Sequence, residues 1–306
     1  MTITLLTFIG NMKNSHRMKT LKKILIFGAT SQIGFFLIPR LLAAGYKVHA
    51  VSRKPFSEQL KNKYPELITH YYDVRQPTIN EDFTSFTDLI YAAPLEKLAD
   101  LLQTFSFTGI KRLIAFSSTS RFTKTSSSSP QERVIAQQLI DAEQAIKSIC
   151  QTQKIHYTIF RPTLIYGCNQ DKNISFIQAW IKKYRFFPLI GKGQGLRQPV
   201  HADDLALACL QVLPNPSTFN KAYNLSGGET LSYQTMVKKI FQYLGLKPRF
   251  IYCPIWLLQI LLRLASLIPR YQHLTPAMLQ RMEINLVFDH EPALHDFNYQ
   301  PRAFEL

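Results

Sequence analysis

The sequence predicts an α/β fold: a doubly wound parallel sheet followed by a smaller C-terminal α/β lobe that binds the substrate. Two observations predict it. Short and almost wholly apolar strands alternate with helical segments, which is typical of parallel strands buried on both faces. A glycine loop at residues 28–34 joins the first strand to the first helix. The strands are expected at residues 22–27, 46–51, 67–72, 88–92, 112–116 and 157–160.

Residues 1–20 precede the first strand, and we interpret them as an N-terminal extension. Their apolar residues 1–10 come before the basic residues at 13–23, which is the reverse of the order in a secretory signal. A weak membrane-touching anchor is the alternative, because the segment has a short amphipathic pattern.

The helices have recognisable ends. The first is expected to stop near Ala44, before Gly45. The run from Ser129 to Glu132 fits a capping box with Pro130 at the first helical position. The pattern becomes loop-rich and basic after Gly167, and an amphipathic helix is expected over 232–244. We therefore assign residues 21–167 to a nucleotide-binding domain, with 199–226 returning to it, and residues 168–198 and 227–306 to the substrate lobe.

Composition excludes several classes of protein. The 306 residues are 46% hydrophobic and 18% charged, which excludes general disorder. No apolar stretch reaches the roughly 20 residues of a membrane-spanning helix. The four cysteines lie far apart with no C-x-x-C pair, so we predict neither a disulfide framework nor a metal site, and we expect a reducing cytoplasmic location. The net charge of +16 favours polyanions, anionic membrane surfaces or phosphorylated substrates.

The glycine loop predicts a phosphate site. A strand that enters a helix through such a loop presents main-chain N–H groups and the positive end of the helix dipole to an anion. A plain turn is the alternative, but the strand–loop–helix–strand context favours a dinucleotide pyrophosphate. The position after the second strand carries Ser52-Arg53-Lys54 where a carboxylate would bind the ribose of NAD. We therefore favour NADP over NAD, with two solvated surface charges as the alternative.

Further segments carry a resemblance to a known family. Residues 28–34 match a G-x-x-G-x-x-G loop, and residues 161–167 match R-P-x-x-x-Y-G. Two later segments match motifs of the same family: residues 197–204, and the D-F-x-Y-x-P-R-x-F pattern that ends at Phe304. Together they resemble the NAD-dependent epimerase/dehydratase family, the extended and atypical branch of the short-chain dehydrogenase/reductase superfamily, with its Rossmann-type fold. With Arg53, the resemblance implies cofactor contacts at Gly28, Thr30, Ser31, Gln32, Ile33, Gly34, Asp73, Val74, Ala92, Ala93, Pro94, Arg161, Pro162 and Thr163.

The resemblance also implies a catalytic hydroxyl, at Ser118 or Thr119, with a backbone-satisfying role as the alternative. The family's chemistry needs Tyr-x-x-x-Lys on the next helix, where the Lys cation lowers the pKa of the phenol. Aligning the helix puts Ile135 and Leu139 at these two positions, and no Tyr occurs from Thr123 to His156. Ser31 replaces a family glycine, and a side chain there costs about 1 kcal/mol if the backbone is left-handed.

On the substrate side the resemblance implies that Arg197 meets a substrate pyrophosphate and that His201 lies near the substrate cleft, with a scaffold histidine as the alternative. We expect Asp203 and Asp204 to cap a helix over 205–212. The apolar run 255–268 is interpreted as buried core, with a peripheral membrane or lipid-substrate surface as the alternative.

Three hypotheses about function follow. The first is an NAD(P)-dependent oxidoreductase or isomerase that acts on a nucleotide-sugar or related substrate by transient hydride transfer. A homodimer is one expected oligomeric state. The second is a catalytically silent NAD(P)-binding sensor or assembly protein, which the missing Tyr/Lys pair favours. The third is an RNA-binding relative, suggested by the charge. We predict no specific nucleic-acid partner, because the sequence shows no exposed aromatic–basic alternation of the kind that stacks bases.

Overall fold

One large parallel sheet organises the protein. The structure, a computed structural model, describes residues 22–53, 55–73, 83–105, 107–171, 173–253 and 281–306. Seven strands lie in the order β3-β2-β1-β4-β5-β6-β11, and every neighbouring pair is parallel. The predicted doubly wound α/β fold is confirmed. The strands are β1 (Lys23–Phe27), β2 (Lys47–Ser52), β3 (Ile68–Tyr71), β4 (Asp88–Tyr91), β5 (Arg112–Phe116), β6 (His156–Pro162) and β11 (Lys221–Leu225).

Alternate residues of each strand feed two separate cores, one on each face of the sheet. In β1, Ile24 and Ile26 pack with helices α1 (Gln32–Ala43) and α7 (Ala202–Val212), whereas Leu25 and Phe27 pack with α3 (Leu98–Thr104) and α5 (Pro130–Gln153). This explains why the strands are apolar nearly throughout, as expected for a sheet covered by helices on both faces. The helices of this part are α1 (Gln32–Ala43), α2 (Glu58–Lys63), α3 (Leu98–Thr104), α4 (Ser120–Thr123), α5 (Pro130–Gln153) and α7 (Ala202–Val212).

A small lobe follows the large sheet and has a core of its own. Its strands β8 and β13 pair in parallel, and β9 and β12 pair antiparallel. The expected amphipathic helix over 232–244 is confirmed as α8, which buries Met236, Val237 and Ile240. The elements of this small lobe are α6 (Ile174–Tyr184), β8 (Phe187–Ile190), β9 (Leu196–Arg197), β12 (Leu231–Ser232), α8 (Tyr233–Tyr243) and β13 (Phe250–Cys253).

The junction between the two parts is short. Strand β7 (Ile165–Tyr166) pairs with β10 (Val200–His201), and the chain then returns to the large sheet through α7 and β11. The C-terminal helix α9 (Glu291–Phe297) also packs on the large sheet, because Ala293 and Phe297 belong to the same core as Phe160 of β6. The domain boundaries drawn from the sequence stay a prediction.

Two expectations about helix ends are wrong. The Ser129 side chain makes no capping bond to the start of α5, and its hydroxyl instead donates to the Gln131 side chain, although Pro130 does open the helix. Helix α7 begins at Ala202, and its N-cap is His201, so neither Asp203 nor Asp204 caps it. Those carboxylates bind arginines instead, because Arg40 of α1 and Arg302 near the C-terminus approach them from both sides.

Three expectations lie outside the described residues: the N-terminal extension at 1–20, Val74, and the apolar run 255–268. Over the residues that the structure does describe, none of the helices combines the length and the apolar character that crossing a membrane requires. The same residues contain no cluster of His, Cys, Asp or Glu suited to a metal ion.

Candidate functional site

A cleft opens at the carboxyl ends of the central strands. It lies where the strand order reverses, between β1 and β4, the place at which open α/β sheets bind their ligands. Its volume is about 280 Å³. The lining residues come from the glycine loop, the segment after β4, the end of β5, helix α5, the end of β6 and strand β7: Ser31, Gln32, Ile33, Ala92, Ala93, Pro94, Leu95, Glu96, Phe116, Ser117, Leu139, Pro162 and Ile165.

Two glycines let the backbones meet at this cleft. Gly28 has φ +76°, and a Cβ there would collide with the carbonyl oxygen of Ala92. A Cβ on Gly34 would collide with the carbonyl oxygen of Ala29, which packs helix α1 tightly against the loop. Both positions therefore require glycine for close approach, and Gly28 requires it for its left-handed backbone as well.

The start of α1 can hold an anion. Ser31 is its N-cap, and its hydroxyl accepts a hydrogen bond of 3.1 Å from the Gly34 N–H. The first-turn N–H groups of Gln32 and Ile33 have no acceptor within an α-helix, and no acidic side chain occupies that turn. Gln32 Oε1 is buried and has no hydrogen-bond partner among the described residues. The loop thus offers donors to a phosphate and one free acceptor to a hydroxyl.

Ser31 does not have the left-handed backbone on which the expected cost depends. Its φ is −72° and its ψ is 167°, which is extended backbone that any residue adopts. A serine therefore fits where the family pattern has glycine, and its side chain stabilises the helix as an N-cap.

Predicted adenosine-side residues lie at the ends of β2 and β3. Arg53 directly follows β2 and is exposed. Thr30 Oγ1 lies 3.1 Å from Ser52 Oγ, which places the Arg53 backbone beside the glycine loop. Asp73 follows β3, whose end is held by a bond of 3.0 Å from Tyr72 N–H to the Ser52 carbonyl. The sheet thus places these two predicted residues on the same edge as the cleft.

The opposite wall is formed by the segment after β4 and by α5. The Ala92 N–H donates to the Phe27 carbonyl at 2.9 Å, and the Tyr91 hydroxyl donates to the Pro94 carbonyl at 3.2 Å. On α5, Leu139 lines the cleft, while Ile135, one turn earlier, is 40% exposed. The wall therefore presents an aliphatic side chain where the resemblance expects a lysine.

The hydroxyls at the end of β5 have different partners. Ser117 donates to Glu143 at 2.7 Å, and Thr119 donates to the Pro162 carbonyl at 3.1 Å. Ser118 Oγ accepts from the Ser120 N–H at 3.1 Å. Thr119, a predicted catalytic residue, is thus engaged with the backbone at a strand end, which is the alternative role. Its catalytic role stays a prediction, as does that of Ser118.

A buried charge cluster beside these hydroxyls was missed by sequence reasoning. Glu143 of α5 is 1% exposed and lies 2.6 Å from Arg161 and 3.1 Å from Arg121. Burial alone would raise its pKa, but hydrogen bonds from Arg161 and Ser117 hold the pKa of Glu143 below its ordinary value. The sequence did contain a signal for this cluster: Glu143 is a carboxylate on the apolar face of the predicted helix, and Arg161 lies near the end of the following strand.

The cluster also explains where Arg161 lies. It was predicted as a cofactor residue, but its Nε and Nη2 atoms both donate to Glu143, and its guanidinium stacks 5.4 Å from the Phe122 ring centroid. Its neighbour Pro162 does line the cleft. Thr163 donates to the Gln198 carbonyl, which ties the end of β6 to the small lobe.

The predicted substrate residues have structural partners. Arg197 is buried, and its Nη1 donates to the Leu196 and Ile284 carbonyls at 2.7 and 2.8 Å. His201 Nδ1 accepts from the Asp203 N–H at 3.1 Å as the cap of α7. For His201 this is the scaffold role that the sequence left open, and burial lowers its pKa. A contact of either residue with a substrate stays a prediction.

Comparison with known proteins agrees with this architecture. The chain is 24% identical over 238 residues to the chloroplast stem-loop binding protein of 41 kDa b of Arabidopsis thaliana, covering 71% of this chain and 62% of that protein. It is 31% identical over 98 residues to NADH dehydrogenase (ubiquinone) 1 alpha subcomplex subunit 9, mitochondrial, of the same plant, covering 32% of this chain and 24% of that protein. The chain thus spans less than two thirds of the length of these curated relatives.

Among solved structures, UDP-glucuronic acid 4-epimerase from Bacillus cereus in complex with NAD superposes with a TM-score of 0.67 at 15% identity, covering 92% of this chain and 94% of that chain. The model of the NAD dependent epimerase/dehydratase family matches residues 24–94 and 91–226, which include the glycine loop, the cleft and the return to the large sheet. This chain is therefore a member of the NAD dependent epimerase/dehydratase family.

Proposed function

We propose that this chain binds NADP or NADPH in the cleft and holds the dinucleotide without transferring a hydride. The observation that carries the proposal is Leu139, an aliphatic side chain that lines the cleft wall at the position where the family resemblance expects the catalytic lysine. Ile135, one turn earlier on α5, stands at the expected tyrosine position. Neither side chain can move a proton, although a proton must accompany hydride transfer at a hydroxyl or carbonyl carbon.

The neighbouring hydroxyls support the same view. The Ser117 proton is donated to Glu143 and the Thr119 proton to the Pro162 carbonyl. Glu143 in turn is held ionised by two guanidinium groups, so it is a poor proton donor. Tyr166 is only 1% exposed, its oxygen accepts from the Glu305 N–H, and burial raises its pKa.

The dinucleotide fits the glycine loop. The pyrophosphate would take the free N–H groups at the start of α1, and a ribose hydroxyl would satisfy Gln32 Oε1. Arg53 would bind the 2′-phosphate of NADP, since a planar guanidinium matches phosphate geometry. The coenzyme bound to the B. cereus epimerase is NAD, and the name of the mitochondrial relative places it among NADH dehydrogenase subunits. Both support a nicotinamide dinucleotide here, and the latter supports a role as a subunit of a larger complex.

A nucleotide-sugar epimerase, dehydratase or reductase is the second candidate. One observation favours it: Ser118 uses its oxygen to accept from the Ser120 N–H, and among the described residues its own proton has no acceptor. That hydroxyl could polarise a substrate carbonyl. The expected cytoplasmic location, homodimer and membrane contact remain predictions.

Calorimetry with NADP, NADPH, NAD and NADH tests the proposal. We expect NADP and NADPH to bind at least about tenfold more tightly than NAD and NADH. Arg53→Asp should remove that preference, whereas Lys111→Asp, an exposed charge just before β5 at the opposite end of the sheet, should keep it. Equal affinities in the wild type would contradict the NADP assignment.

Two glycine variants test the location. Gly28→Ala should abolish binding, because its Cβ meets the Ala92 carbonyl, whereas Gly45→Ala shares the positive φ but meets nothing within 4 Å. UDP-glucose and UDP-glucuronic acid are then incubated with the protein and NADP, and the nucleotide sugars are separated by chromatography, because transient hydride transfer leaves no net change in the coenzyme. No turnover is expected, and turnover that Ser118→Ala abolishes would establish the second candidate instead.

A further inference from the structure

The segments that build the small lobe carry positive charge without any negative charge. Among the residues that the structure describes, 173–202 contain five Lys and Arg, of which only Arg197 is buried, 230–253 contain four, and neither segment contains an Asp or Glu. The carboxylates at the margins are engaged: Glu229 binds Lys239 at 2.6 Å, and Glu283 accepts from the Gly193 N–H at 2.7 Å. A surface of this kind attracts a polyanion.

Helix α6 adds a row of aromatic rings to this surface. Phe176, Trp180 and Tyr184 follow one another at intervals of one turn, with ring centroids 6.0 and 4.6 Å apart, and Phe186 continues the row 6.3 Å from Tyr184. Phe176 is 55% exposed and Tyr184 44% exposed. We call Phe176, Trp180, Tyr184 and Phe186 the α6 aromatic row.

Cations alternate in sequence with the last two rings of this row. The row ends in the alternation Lys183-Tyr184-Arg185-Phe186, with the Lys183 Nζ 4.9 Å from the Tyr184 ring centroid. The Arg249 main chain lies beside the same end, because its carbonyl accepts from the Phe187 N–H at 2.9 Å, and its side chain is exposed. The sequence predicted no exposed aromatic–basic alternation of the kind that stacks bases; the structure does expose Tyr184 between two exposed cations, and base stacking there stays a prediction.

We propose that the α6 aromatic row is a binding surface for single-stranded nucleic acid, without sequence specificity. Rings at one-turn intervals suit successive unstacked bases, each of which has a face that can stack on an aromatic side chain. Lys183, Arg185 and Arg249 neutralise the phosphates between the bases.

The arrangement favours nucleic acid over an anionic membrane. A helix that lies in a bilayer interface buries a whole apolar face in the lipid. In α6 that face, Ile174, Ile177 and Ile181, already packs in the core of the small lobe. Outside that face lies the α6 aromatic row, in which Phe176 and Tyr184 are exposed and Trp180 is partly buried against the same core. This inference does not depend on dinucleotide binding, because no residue of the row lines the cleft.

Fluorescence anisotropy with a labelled oligouridylate of about 16 nucleotides, the upper site size for single-strand binding folds, tests the proposal. We expect binding that weakens with salt by about 0.7 log units per phosphate contacted for each tenfold rise in salt. Phe176→Ala and Tyr184→Ala should each weaken binding about fivefold to 100-fold, and Lys183→Gln should lower the salt slope by about 0.7.

Tyr243→Ala is the matched control, since this ring of the small lobe is 59% exposed and lies on α8, outside the row. It should leave the affinity unchanged. Three results would overturn the proposal: equal losses in Tyr184→Ala and Tyr243→Ala, displacement of the oligonucleotide by an equal charge of polyglutamate, or binding to phosphatidylserine vesicles with none to the oligonucleotide.

Discussion

Charged side chains are arranged differently in the large-sheet part and in the small lobe. In the large part, several carboxylates are largely buried and paired: Glu143 lies between two arginines, and Asp203 is bound by Arg40 at 2.6 Å and by Arg302 at 2.7 Å. In the small lobe the cations have no carboxylate within their own segments, and most remain at the surface. The net charge of +16 is therefore not spread evenly over the chain.

The difference shows what each set of charges does. Asp203 and Asp204 join α1, α7 and the C-terminal tail, which are far apart in sequence, so their pairs fix the position of the helix that opens the cleft. Arg112 is buried likewise, and its guanidinium donates to Thr158 Oγ1 and the Val212 carbonyl. Charged groups that are buried and bound in this way hold elements of the fold together, whereas exposed cations are accessible to a ligand.

Removal of the central carboxylate should have the largest effect on stability. Glu143→Gln leaves Arg121 and Arg161 close together without a counter-charge, and breaking a buried pair in this way costs about 3–5 kcal/mol. Urea unfolding measures the loss. Glu58→Gln on α2 is the control, because that carboxylate is exposed, and it should change the free energy of unfolding by less than about 0.5 kcal/mol. Equal values for the two variants would show that the cluster contributes nothing.

Lowering the pH should reduce the free energy of unfolding of the large-sheet part, because His49 becomes protonated. Burial and the nearby His70, Lys47 and Lys23 lower the pKa of His49 to about 4. Its Nδ1 lies 2.9 Å from His70 Nε2. In the unfolded chain this histidine is protonated near pH 6.5, whereas in the folded protein it stays neutral until the pH reaches about 4. The free energy of unfolding therefore falls as the pH decreases from about 6.5 to about 4.

After allowance for solvent screening of this partly exposed ring, we expect a loss of about 1 kcal/mol. The fall should be smaller in His49→Gln and unchanged in His295→Gln, whose ring is 86% exposed. Residues 168–200 and 202–253 contain no histidine, so the effect belongs to the large part. Identical pH profiles for the three proteins would contradict this assignment.

Local patterns predicted the fold better than the site. The strand at residues 112–116 was predicted to the residue, and the glycine loop was placed correctly, because both depend on neighbours in sequence. The partners of Glu143, Asp203 and Arg197 are up to 163 residues away, and no local pattern fixes which distant cation a carboxylate meets. The exposure of the α6 aromatic row was missed for a similar reason, since only packing decides which flank of an amphipathic helix faces solvent.

The smallest expected effect is the response to salt. Between 0.01 and 0.1 M salt the screening length falls from about 30 to about 10 Å, which weakens repulsion among exposed like charges. Hydrogen exchange measured by mass spectrometry should therefore slow in α6 and α8 by a factor of about two, corresponding to a few tenths of a kcal/mol. Helices α1 and α7 are joined by paired charges, for which screening removes attraction, so their exchange should be unchanged or slightly faster. Equal slowing in both regions would mean that salt acts through general surface effects, and the contrast in charge between the two parts would then have no energetic consequence.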